Sequence, residues 1–293
     1  MMVTAHKHTL RALFDGFLLA KEADGVSKYT IGTYQVMFQN LVRDFPPEKL
    51  EEPSQLTSQD FQEWVVGLRQ RVATATVDQR ISKVKTFFNW CVAEGFLDDN
   101  PAKVLKRPKK NWQPDPLSSE EVDILLQAAR HGHSSARNYA ILCVLLDSGM
   151  RNGELAHLRP SDVSIKTGEI KIYGAKGGKS RTVLIGKRAK EALWRWMMQR
   201  PDNAEYLFCT RDGRPLIRER LAFIVRHIGE RVGIKVYPHR LRHTFALMFL
   251  KNGGDPYTLQ YLLGHEDMTV TREYVKIAAT DVKDMYKSPL DAL

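Results

Sequence analysis

Four short stretches of this 293-residue chain gather polar and cationic groups where the surrounding pattern is apolar or turn-forming. The first, Ser148-Gly149-Met150-Arg151-Asn152-Gly153-Glu154-Leu155, sets an arginine at a helix junction. The second, Gly174-Ala175-Lys176-Gly177-Gly178-Lys179-Ser180-Arg181, carries a lysine at the tip of a glycine-rich β-turn. Third comes His239-Arg240-Leu241-Arg242-His243, opening an apolar helix, and fourth Leu262-Leu263-Gly264-His265, with Tyr274 nine residues further on. Each has a plain alternative. Arg151 can pair with Glu154 at i, i+3 for ~0.2–0.5 kcal/mol, and most turn lysines are simply solvated. His239 and His243 have the i, i+4 spacing of a metal pair, but no Glu follows His239 and no third ligand is evident. The glycine-rich turn lacks the Gly-x-x-x-x-Gly-Lys-Ser/Thr spacing and sits in a hairpin, not ahead of a helix, which argues against a nucleotide-binding loop.

Taken together the four stretches suit the transfer of a phosphodiester. Two arginines, a lysine and two histidines offer several donors and positive charge to one phosphate. A pentavalent phosphoryl transition state carries extra negative charge on its non-bridging oxygens, and guanidinium forks stabilise it through paired hydrogen bonds. His239 and Arg242, at i, i+3, share one helix face. A tyrosine phenol can act as nucleophile if its proton leaves as attack proceeds, and a lysine can protonate the departing sugar oxygen, otherwise a poor leaving group.

On these residues the sequence resembles the tyrosine recombinases, the integrase family that includes Xer-type enzymes and many phage and transposon integrases. The motifs span about half of the chain in the family's order. The resemblance implies that Arg151 and Arg242 clamp the scissile phosphate, that His239 and His265 bond its oxygens and assist proton transfer, and that Glu154 supports the site. It further implies that Lys176 is the general acid for the 5′-oxygen and that Tyr274 is the nucleophile forming a 3′-phosphotyrosyl link. Lys176 is preferred to Lys179 in the turn, and Tyr274 to Tyr286, whose distance from His265 does not match. No metal or nucleotide cofactor is implied, because the phosphotyrosine stores the bond energy for religation. The implied partner is double-stranded DNA, bound by a homo-tetramer across two sites through a Holliday junction, with room for a second recombinase or an accessory protein.

The elements that must position these residues fall into two domains. Residues 1–106 read as helices only: Leu10, Leu13, Phe14 and Phe17 recur at helical spacing, as do Tyr34, Phe38 and Leu41 after a Ser27 cap. Phe61, Trp64, Val65 and Leu68 follow Thr57 or Ser58, and Val77 to Cys91 ends near Gly95. Residues 107–116, with three prolines and a run of cations, read as an extended basic linker. A capping box at Ser118–Glu121 opens the domain at 117–293. There Ala136–Leu146 predicts a buried helix capped by Gly149, and Asp162–Ile165, Glu169–Tyr173 and Arg181–Ile185 predict strands with one buried face. The chain then returns to helices. The expected class is mostly α: an all-helical N-terminal DNA-binding domain plus an α+β catalytic domain with a small antiparallel three-stranded sheet. The tail from Asp281 to Leu293 has the makings of an amphipathic segment that docks on a neighbouring protomer.

Composition narrows the function further. The three cysteines, Cys91, Cys143 and Cys209, are scattered and give neither a disulfide framework nor a zinc site. The longest apolar run, Tyr139 to Leu146, falls far short of the ~20 residues of a membrane span, and no export signal precedes it. A soluble, cytoplasmic, nucleoid-associated protein is expected. The net charge is +10, and residues 1–106 balance 13 cationic against 13 acidic side chains, so the excess lies wholly beyond them. A basic surplus of this kind suits a polyanion. Two rivals remain at this level, a relaxing topoisomerase with similar chemistry and a DNA-binding regulator whose site has decayed.

Overall fold

The computed structural model describes residues 9–108, 114–174, 180–264 and 268–278, and the chain divides into two compact units, Met1–Asn111 and Trp112–Leu293. Among the described residues the regular elements of the first are helices only: α1 (Leu10–Ala23), α2 (Lys28–Asp44), α3 (Pro47–Glu51), α4 (Ser58–Arg71) and α5 (Thr74–Ala93). Their starts follow the capping chemistry expected from the sequence. Thr9, Ser27 and Thr57 each accept a backbone N–H of the first turn through the side-chain oxygen, and Thr57 forms a reciprocal box with Asp60. The apolar stripes of α1, α2, α4 and α5 meet in one core, where Phe14 stacks on Phe38 with ring centroids 4.0 Å apart. The short helix α3 was not foreseen. Its Pro-Pro start at Pro46-Pro47 pre-sets the first helical φ, and only five residues follow before Pro53 begins a separate 3₁₀ turn.

The second unit contains α6 (Ser119–Ala129), α7 (Ser135–Ser148), α8 (Asn152–Ala156), strands β1 (Val163–Ser164), β2 (Glu169–Ile172) and β3 (Arg181–Leu184), then α9 (Lys187–Met197), α10 (Arg218–Glu230), α11 (Pro238–Lys251), α12 (Pro256–Leu263) and α13 (Met268–Ala278). The strands form an antiparallel meander in sequence order, with Ile170 opposite Val183. Ile170, Ile172, Val183 and Ile185 are all buried, as the alternation predicts. β1 is shorter than the expected Asp162–Ile165, because Asp162 instead closes a 3₁₀ turn by accepting the Arg159 backbone N–H at 2.8 Å. No helix among the described residues is long and apolar enough to cross a membrane.

Two packing features prepare the site. α7 is buried from Tyr139 to Leu145 and packs on α9 and α11. It ends at Gly149, whose φ is +60°, and a Cβ built there would lie 2.2 Å from the Phe245 ring of α11. Glycine is therefore needed both for the left-handed turn and for the close approach of α11. α11, α12 and α13 share a second small core of Phe245, Leu250, Leu259, Leu263 and Tyr274. The three cysteines are buried and free.

Candidate active site

Arg151, Arg242 and Tyr274, far apart in sequence, are drawn into one region by the junctions of α7, α11, α12 and α13. Arg151 caps α8, and its guanidinium donates to Glu154 Oε1 at 3.2 Å and to the Gly264 carbonyl at 2.9 Å. The i, i+3 pair foreseen as a bland possibility is thus real, but Glu154 does more. It accepts the Arg151 backbone N–H at 2.6 Å and a forked pair of bonds from Arg181, both 2.8 Å. Burial alone would raise the Glu154 carboxyl, yet the Arg181 fork and the Arg151 charge hold it below its usual value.

Arg242 is buried on α11, with 3 % of its surface exposed. It donates to the Gly149 carbonyl and to the Leu263 carbonyl, each at 2.7 Å, so the plane of its guanidinium is fixed from two sides. Burial and then the neighbouring Arg151 charge push its pKa down to about 10, which still leaves it cationic at neutral pH. Arg181 and Arg151 both bond the Glu154 carboxylate, and Arg242 lies near enough to Arg151 to feel its charge. This local excess of positive charge, held in a partly desolvated setting, is suited to an incoming anion.

His239 stands at the exposed edge of the first turn of α11, where partial burial and the Arg242 and Arg151 charges lower its proton affinity. His243, one turn on, is buried, its ring centroid 4.2 Å from that of His239. Its Nδ1 lies 2.5 Å from the Tyr274 hydroxyl, within hydrogen-bond distance. Burial raises Tyr274 to about 12 against the opposing Arg242 charge. The phenol therefore keeps its proton at neutral pH and sits beside a neutral imidazole. The His239–His243 spacing, read as a possible metal pair, instead joins a surface histidine to one committed to tyrosine. Among the described residues no three His, Cys, Asp or Glu side chains come close enough to hold a metal ion.

Lys176, Lys179, His265 and Tyr286, with the tail Asp281–Leu293, lie outside the described residues. Two residues of the site were quoted in the motifs but given no role. Arg181 looked like one more hairpin cation, and only its place at the start of a strand with a buried face hinted otherwise. His243 follows the chemically eligible His239 and Arg242 so closely that its burial could not be read from spacing. Arg240, in the same motif, faces elsewhere: it bonds the Asp115 carbonyl at 3.2 Å and pairs with Asp115 and Glu121 carboxylates.

Burial drives His243 down to about 4, with the nearby His239 and Arg242 adding to the effect. Its unfolded value is 6.5. Between these values the unfolded chain binds the extra proton, so the contribution is complete above pH 6.5 and is lost as pH falls toward 4. The expected loss is about 3 kcal/mol. Denaturant titrations across this range should show falling stability, with a flatter slope in His243→Asn, which keeps an acceptor near Nδ1. Parallel slopes for the two proteins would show that His243 does not titrate this way.

Residues 116–280 match the phage integrase family, and residues 14–95 match the phage integrase N-terminal SAM-like domain. The chain is 31% identical over 289 residues to the tyrosine recombinase XerD of Oceanobacillus iheyensis, spanning 94% of this chain and 97% of that protein. It is 29% identical over 287 residues to the tyrosine recombinase XerC of Proteus mirabilis, covering 95% and 93%. Its fold is shared with a lambda integrase tetramer bound to a Holliday junction, at TM-score 0.78 and 18% identity over 92% of this chain and 78% of that one. With one match over more than half of its length and a relative alike along nearly all of it, the chain belongs to the phage integrase family of tyrosine recombinases.

Proposed function

We propose that the chain cuts and rejoins duplex DNA at specific sites, with Tyr274 as nucleophile and Arg151 and Arg242 as the clamp on the scissile phosphate. The observation that carries this reading is the convergence of two arginines on the region where a buried tyrosine hydroxyl meets a neutral histidine. Tyr274 Oη attacks phosphorus, the phenolic proton leaves, and the bond to the 5′-oxygen breaks as that oxygen takes up a proton. The product is a 3′-phosphotyrosyl link and a free 5′-hydroxyl. Attack by a 5′-hydroxyl from the other duplex reverses every bond change and completes strand exchange. His239 and His265 bond the non-bridging oxygens and assist proton transfer, and Lys176 protonates the leaving group. A homo-tetramer across two DNA sites supplies the second duplex, and the work is done on chromosomal DNA in the cytoplasm.

Tyr274 is only 1 % exposed, so a phosphate reaches its hydroxyl only after the packing around the phenol rearranges. Withdrawing one aromatic side chain from its core costs about 2 kcal/mol, an amount that a few charge-assisted phosphate contacts offset. Closure of the active site therefore belongs with DNA binding.

The test begins with a random-sequence duplex pool from which binding selects a site. Duplexes bearing that site, nicked so that the fragment beyond the cleaved bond diffuses away, should trap a protein–DNA adduct that survives SDS and forms equally in EDTA. Binding should also weaken steeply with salt, since phosphate contacts dominate affinity. Tight binding with no adduct on any nicked duplex would favour the decayed-regulator reading. Relaxation of a supercoiled plasmid without exchange between sites would favour the topoisomerase reading.

A further inference from the structure

The end of α12 is capped in an unusual way. The last carbonyls of a helix have no partner within the helix and commonly turn to water or a following turn. Here three consecutive ones, those of Leu262, Leu263 and Gly264, accept from three different arginines: Arg181 Nε at 2.8 Å, Arg242 at 2.7 Å and Arg151 at 2.9 Å. Two of these arginines form the proposed phosphate clamp. Arg181 is the third, and it differs in kind. Its side chain is 11% exposed, its two terminal nitrogens are engaged by the Glu154 carboxylate and its Nε by Leu262. Gly264 packs against the same guanidinium: a Cβ there would stand 3.0 Å from one terminal nitrogen, and φ is +62°. Arg181 thus faces protein on several sides, while Arg151 is half exposed.

We propose that Arg181 is a positioning residue for strand cleavage, locking Glu154, and through it Arg151, to the end of α12 so that the phosphate clamp is preassembled. The proposal rests on the strand-transfer reading of this site. The geometry asks for arginine specifically. Lysine supplies the same charge on a similar stem, but one ammonium cannot fork onto a carboxylate and also hold Leu262 in the same plane. With the fork lost, Glu154 is free to follow Arg151 alone, and the clamp loses its fixed distance from α12. A misplacement of about 1 Å in such a constellation can cost about 10²-fold in rate.

The experiment compares wild type with Arg181→Lys on the selected nicked duplex, with melting curves fixing a temperature at which both are folded. At saturating DNA, Arg181→Lys should form the adduct about 10²-fold more slowly, while its affinity for the intact duplex stays within a few-fold. Glu154→Gln should slow cleavage too, and the double variant should be little slower than either single one, because the pair acts as a unit. A duplex with sulfur in place of the bridging 5′-oxygen separates two routes. Its thiolate leaves without a proton, so a defect transmitted through the lysine-bearing turn vanishes on it, and a defect in the clamp persists. Persistence is the expected result. Recovery on the sulfur substrate, additive effects of the two substitutions, or an unslowed Arg181→Lys would each overturn the proposal. A wild type that forms no adduct removes the reading of the site and the proposal with it, whereas an active wild type beside an equally active Arg181→Lys removes the proposal alone.

Discussion

Tyr274→Phe should abolish the covalent protein–DNA adduct, by at least about 10⁴-fold in rate, while the protein still binds the selected duplex. The substitution deletes one oxygen, the atom that the proposed chemistry requires. It keeps the ring, which fills the small core of α11, α12 and α13. Stability should fall as well, and for a separate reason. The hydroxyl and His243 Nδ1 form a buried hydrogen bond, and its loss costs about 1–3 kcal/mol. Denaturant unfolding reads the second effect and denaturing gels of the nicked-duplex reaction read the first, so the two need not be confused. Tyr286→Phe is the control and should keep the adduct. An adduct that persists in Tyr274→Phe would mean that another residue is the nucleophile.

The proposed site is legible in residue type and order, and what the sequence conceals follows from how the chain folds. Arg151, His239, Arg242 and Tyr274 were readable because few other roles bring these types together in that order. The turn at Gly149 was readable because only glycine suits a helix end with φ of +60° against an aromatic ring. Arg181 was not, because its partners lie 27 and 81 residues away and no periodicity links them. His243 was hidden by a failure of helical pattern. From Arg240 to Leu247 every residue of α11 is buried, so the polar members do not sort onto a wet face. Arg240 and Thr244 tie down the segment at 115–117, with the Leu117 N–H donating to the Thr244 hydroxyl at 2.9 Å, while Arg242 and His243 turn to the site. Two arginines two positions apart, identical as letters, therefore do different work. The start of β1 slipped by a residue because a carboxylate cap at Asp162 competes locally with the sheet.

Arg242→Gln should slow adduct formation by about 10³-fold at saturating DNA, a change far larger than its effect on folding. The argument compares opposing terms. In the folded protein Arg242 gives up two charge-assisted bonds on substitution, to Gly149 and Leu263, each worth about 1.5–3 kcal/mol. Against this, burial and then the Arg151 charge lower its pKa to about 10, so holding the charge there already costs about 3 kcal/mol. Glutamine removes that cost and its amide can still donate to one carbonyl, so the terms largely cancel and the melting temperature should change little. Catalysis has no such cancellation, since the charge that burdens the free enzyme is the charge that a phosphorane stabilises. Loss of one phosphate contact should also make the slope of log affinity against log salt shallower by about 0.9. Arg242→Lys tests charge against geometry: it keeps the cation but cannot span both carbonyls, so it should be nearly as slow as Arg242→Gln. A fast Arg242→Lys would show that charge alone suffices, and an unfolded Arg242→Gln would show that the arginine's first task is to hold α11 to α12.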